Sequence, residues 1–90
     1  MMRSKRLMER LAARGISAAL IHKRVNMRYL SGYTGEGCLL VTDEGMTVFT
    51  DFRYVEQVSR QAPESRCVRT RNGQELHALV REALGGRQSL

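Results

Sequence analysis

Two histidines, two cysteines and one glycine-rich stretch are the parts of this 90-residue chain from which a reaction centre could be built. A metal site or an acid–base pair needs several such groups converging, and their spacing does not supply that. His22 and His77 fall in neither an HxxxH nor an HxxE pattern, and each reads as a surface or strand-edge histidine rather than a ligand. Cys38 and Cys67 lack a CxxC spacing, which excludes a zinc ribbon or a disulfide scaffold. Both adjoin apolar residues (Leu39 to Val41, and Val68), so each is expected to be a buried, reduced thiol on a strand. No serine or cysteine sits in a GxSxG elbow. The stretch YLSGYTGEG at 29–37 matches neither GxGxxG nor GxxxxGK[ST], and no lysine follows it to reach a phosphate. The expectation is a chain with no catalytic and no metal-ligating residue of its own.

Charge offers a different chemistry. Of the net +6, the excess lies in residues 1–30, where eight Lys and Arg face Glu9 alone. Residues 31–64 reverse the sign, with six acids against Arg53 and Arg60. A basic module that meets nucleic acid or an acidic protein is therefore the alternative function to weigh. No aromatic interrupts the basic residues before Tyr29 and no nucleic-acid motif is present, so a solvated basic helix is the simpler reading.

The elements that would hold these residues follow from periodicity. An apolar content of 42% suits a globular fold, and no apolar run exceeds four residues, which excludes a membrane-spanning helix or an export signal within this sequence. The default location is the cytoplasm. Leu7, Met8, Leu11 and Ala12 recur at helical spacing, with Ser4 as the expected N-cap and Gly15 as the terminator. Residues 16–21 read as a strand buried on both faces. Residues 25–30 suit a short helix ended by Gly32. The runs 38–42 and 46–50, joined by Asp43-Glu44-Gly45, predict a hairpin. A helix over 54–61 stops before Pro63, a strand follows over 66–70, and Asn72 with Glu75 resembles a capping box. That box opens a helix striped by Leu76, Leu79, Val80, Ala83 and Leu84. The predicted class is α/β: one domain over 1–86 with a mixed sheet of about four strands flanked by helices, followed by a frayed tail at 87–90. Its core should include Leu7, Leu11, Leu20, Leu39, Val41, Val48, Val58, Leu76, Leu79 and Val80.

Two segments carry a resemblance. NMRYLSGYTGEGCLLVT and TVFTDFRYVEQV are similar to paired motifs of the creatinase, prolidase and Xaa-Pro aminopeptidase family, an N-R-Y-L-x-G-[FY]-x-G segment followed by T-D-x-R-Y-x-x-Q. Asn26, Arg28, Tyr29, Leu30, Gly32, Tyr33 and Gly35 match the first; Thr50, Asp51, Arg53, Tyr54 and Gln57 match the second. RLMERLAARGISAALI resembles the family's opening helix and strand, so the likeness spans residues 3–84. Glu36 stands where the family often has Ser or Ala, and Phe52 where it often has Gly.

The resemblance implies a ribonuclease H-like N-terminal domain whose parent carries a C-terminal pita-bread catalytic domain, absent from this sequence. That domain would bind two divalent metals, Mn, Co or Zn, through two Asp, one His and two Glu. The N-terminal domain would pack on it, mediate homo-oligomer contacts and lend residues to the rim of a neighbouring active site. Tyr33, on a loop expected to be exposed between Gly32 and Gly35, and Arg53 are the residues the resemblance points to for substrate contact at that rim. From the residues alone, Asp51 is expected to cap the helix that Arg53 and Tyr54 begin, Arg53 to pair with Asp51 or Glu56 on the surface, and Tyr29 and Tyr54 to pack against the sheet.

Overall fold

The computed structural model describes residues 2–86. Its elements run α1 (Met2–Ala12), β1 (Ala18–Ile21), α2 (Arg24–Ser31), β2 (Cys38–Thr42), β3 (Gly45–Thr50), a 3-10 turn (Phe52–Tyr54), α3 (Val55–Gln61), β4 (Arg66–Arg69) and α4 (Gly73–Leu84). The expected order of helices and strands holds throughout. Helix α1 starts at Met2, so Ser4 lies inside it and is not its cap. The expected tail at 87–90 lies outside the described residues.

The four strands lie side by side in chain order. β1 pairs antiparallel with β2, and β2 with β3 through the hairpin, where Thr42 faces Gly45. β3 and β4 run parallel, with Thr47 opposite Arg66 and Thr50 opposite Arg69. A parallel pair needs a crossover, and the 3-10 turn with α3 provides it.

Period-two alternation sends successive residues of each strand to opposite faces, and both faces are covered. On one, Leu39, Val41, Met46 and Val48 pack with Met27 and Leu30 of α2, Val58 of α3, and Leu7 and Met8 of α1. On the other, Cys38, Leu40, Phe49 and Ala18 meet Leu76, Leu79 and Val80 of α4. Ala18 and Ala19, adjacent on β1, are both fully buried, as a strand covered on two sides requires. The two faces are unequal. Three helices cover the first and α4 alone covers the second, where Leu76 and Leu79 are only half-buried.

Local signals explain the element ends. The Asn72 side chain accepts the Glu75 backbone N–H at 2.9 Å, capping α4. The Glu75 carboxylate turns instead to Arg71, at 2.8 Å. Gly32 closes α2 at φ +89, and a Cβ there would stand 2.8 Å from the Gln61 carbonyl oxygen, so a side chain is excluded by both backbone and space.

Candidate functional site at the ends of the parallel strands

The loop 32–37 and the turn 51–54 meet where β3 ends. Tyr33 was expected to be exposed; it is fully buried. Its hydroxyl donates to the Glu36 carbonyl at 2.6 Å and lies 3.1 Å from Thr50 Oγ1, which itself donates to the same carbonyl at 2.7 Å. Its backbone N–H is held by Ser31 Oγ at 3.1 Å. Burial pushes the phenol above its ordinary range, opposed in part by the Thr50 contact. Gly35 lies against this ring, and a Cβ there would overlap the phenol. The glycine spacing that suggested a presented aromatic instead makes room for a buried one. Tyr33 therefore offers no surface to a substrate, and the rim contact expected of it is withdrawn.

A second network fastens the outside of the loop. The Thr34 N–H and hydroxyl donate to Gln61 Oε1 at 2.9 and 3.1 Å, and Gln57 Nε2 reaches Thr34 Oγ1 at 3.1 Å. Loop, strand end and α3 are thus tied by hydrogen bonds on both sides of Tyr33.

Arg53 is where the sequence placed it, exposed at the following turn. The Asp51 carboxylate accepts the Arg53 backbone N–H at 2.9 Å and takes the guanidinium in a fork, Nε at 3.1 Å and Nη2 at 2.7 Å. These bonds from Arg53 hold the Asp51 carboxyl below its usual range and raise the guanidinium further. The expected cap and ion pair are both present. Tyr54 is half-buried and packs on the first core, with the Arg53 guanidinium 5.4 Å from its ring centre. Tyr29 departs from expectation. It is 59% exposed, and its ring carries the Arg3 guanidinium at 4.5 Å.

The residue that sequence reasoning passed over as an aromatic surface is Phe52. It is 74% exposed, beside Arg53 and the partly exposed Val55. A depression of about 500 Å³ lies here, lined by Asp51, Phe52, Arg53, Arg69, Thr70 and Arg71. It sits at the carboxyl ends of β3 and β4, the edge at which sheets with parallel strands place their ligand clefts. The available signal was a large apolar side chain inside a one-turn cap, where no core position exists.

The cysteines divide. Cys38 is buried and its thiol is pushed up to about 11 by desolvation. Cys67 is exposed on β4, against expectation, and β4 is an edge strand of the sheet. Among the described residues no group of three or more His, Cys, Asp and Glu could hold a metal ion. The residues present do not fit a metal centre, and no step through a metal is assigned to them. Nor is any described helix long and apolar enough to cross a membrane.

Comparison with known proteins settles the family. The creatinase/prolidase N-terminal domain model matches residues 3–90. The chain belongs to this family. Two isolated N-terminal domains share its fold. One, the creatinase/prolidase-like domain of a Corynebacterium diphtheriae metallopeptidase candidate, is 31% identical with a TM-score of 0.84, covering 98% of this chain and 71% of that one. The other, from the cytoplasmic peptidase PepQ of Mycobacterium tuberculosis, is 29% identical with a TM-score of 0.74, covering 98% and 88%. A Xaa-Pro dipeptidase of Bacillus anthracis is 29% identical with a TM-score of 0.83, over 94% of this chain but only 24% of its own. The uncharacterized peptidase YqhT of Bacillus subtilis is 40% identical over 48 residues, 52% of this chain and 14% of that protein. The creatinase/prolidase N-terminal domain described here thus corresponds to a small leading part of larger peptidase chains.

Proposed function

We propose that this domain serves subunit contact and substrate access for a prolidase-like or Xaa-Pro peptidase catalytic domain, and performs no hydrolysis itself. The observation that carries the reading is the exposed Phe52–Arg53 turn on a domain of this family, at the strand ends where a cleft is expected. Phe52 and Val55 give an apolar surface to bury against another domain or subunit. Arg53, its fork shared with Asp51, keeps its remaining donors for a peptide carboxylate at the rim. The parent's chemistry would reside in its catalytic domain, with two divalent metals there, in the cytoplasm as for PepQ.

Two measurements test this. The purified chain with Mn(II) and an Xaa-Pro peptide should show no turnover; chelator-sensitive turnover proportional to its concentration would contradict the non-catalytic role. In a chain that carries both domains, Arg53→Ala should reduce turnover of Xaa-Pro peptides while the melting temperature stays unchanged. Unaltered kinetics in that variant would remove Arg53 from the rim.

A further inference from the structure

The basic excess of residues 1–30 plays no part in the turn at 51–55, and the fold collects much of it in one place. Arg3, Arg6 and Arg10 follow one another along a side of α1 and line a groove of about 290 Å³ between α1 and α2. The groove floor is apolar, made by Leu7, Ile21 and Leu30, and its far wall is Asn26 and Tyr29. Arg28 and Glu64 line the adjoining depression with Arg3 and Tyr29, so one acid stands at that end. Beside the groove on α2, Val25 is 71% exposed one helical turn from Tyr29, itself 59% exposed.

Arg6, Arg10 and Arg28 make no ion pair among the described residues, whereas Arg24, Arg53 and Arg71 each have a carboxylate. Arg3 is pinned in place: its guanidinium donates to the Tyr29 carbonyl at 2.7 Å and stacks on the Tyr29 ring. The groove therefore has a positively charged rim in which Arg3 is held, an apolar floor and an apolar shoulder.

We infer that this groove is a docking surface for an acidic, apolar-bearing polypeptide segment of another protein. Charge complementarity selects the acidic partner, because among the described residues Arg6, Arg10 and Arg28 have no counter-ion. The apolar floor and the Val25–Tyr29 shoulder select a polypeptide over a nucleic acid, since a phosphodiester chain has nothing to bury there. Tyr29 is also the single exposed aromatic at the groove, and Arg3 occupies one face of its ring, so it is a poor platform for successive bases. The surface lies on the α1–α2 side, apart from the Phe52–Arg53 turn, and stands independently of the function proposed above.

The experiment is fluorescence anisotropy on the whole chain with a labelled peptide in which Asp and Glu alternate with Leu and Phe. Controls are an all-Glu peptide and an RNA oligonucleotide of equal charge. The alternating peptide should bind, and more tightly than the all-Glu peptide. Arg6→Glu/Arg10→Glu should weaken it by about tenfold or more, whereas Arg66→Glu/Arg81→Glu, with the same change of net charge elsewhere, should leave it within about twofold. Tyr29→Ala removes an exposed side chain and should weaken the peptide without lowering the melting temperature. Absence of binding at low salt, or equal losses in the two double variants, would overturn the inference. RNA binding tighter than the peptide with a steep salt slope would reassign the groove to nucleic acid. Self-association abolished by Arg6→Glu/Arg10→Glu would reassign it to a second copy of the chain.

Discussion

Two aromatic residues, on either side of the β2–β3 hairpin, went opposite ways. Tyr33, in a glycine-flanked loop with polar neighbours, is fully buried; Phe52, the more apolar of the two, is 74% exposed. Hydrophobicity alone predicts the reverse. What decides is the supply of partners and space. Tyr33 finds two hydroxyl-and-carbonyl contacts for its polar end and a glycine beside its ring, so its burial leaves no donor unmet. Phe52 stands in a turn anchored by Asp51, whose geometry is set by backbone capping and offers no core position. One aromatic is a strut within the domain. The other stands exposed on the surface.

The comparison can be broken most severely at the strut. Tyr33→Ala should cost about 3–5 kcal/mol in chemical denaturation, as expected for an aromatic removed from a packed core. A domain of this size has only on the order of 5 kcal/mol in total, so the variant should be largely unfolded near body temperature. Gly32→Val should lose about 1–3 kcal/mol, because the φ of +89 and the nearby Gln61 carbonyl both oppose a β-branched side chain. A variant as stable as the parent would show that the loop backbone differs from that described.

Leu79→Ala should cost less, about 1–2 kcal/mol, since Leu79 is half-buried against the thinly covered face of the sheet. An unchanged melting temperature would mean that α4 is not docked. The pH response should be milder still. The fold raises the Cys38 thiol to about 11 from an ordinary 9.0, so it favours the protonated form. That contribution is whole below the unfolded value and is lost as pH rises toward the folded one. Denaturation midpoints should fall across this alkaline window, with Tyr33 acting in the same direction, and Cys38→Ala should flatten the fall. At the small end, Phe52→Ala should change stability by no more than about 0.5 kcal/mol, as for surface substitutions generally.

Much of the fold was legible because its signals are local. The hairpin turn, the Asn72 cap and the α4 stripe each depend on neighbours a few residues apart, and each stands where the pattern put it. The placement of Arg53 with Asp51 was equally local. Tyr33 was not, because its burial depends on Thr50, seventeen positions away in the chain. Cys67 and Tyr29 failed for a similar reason. Their exposure follows from which strand forms the sheet edge and which face of α2 meets α1, neither of which is written in the residues beside them.

The most direct test of this division is hydroxyl-radical footprinting of the folded chain, read residue by residue by mass spectrometry. Phe52 and Tyr29 should be oxidised readily, and Tyr33 should stay protected until denaturant is added. Oxidation of Tyr33 at a rate comparable to Phe52 in the folded protein would contradict the account, and would return Tyr33 to the surface as a candidate contact.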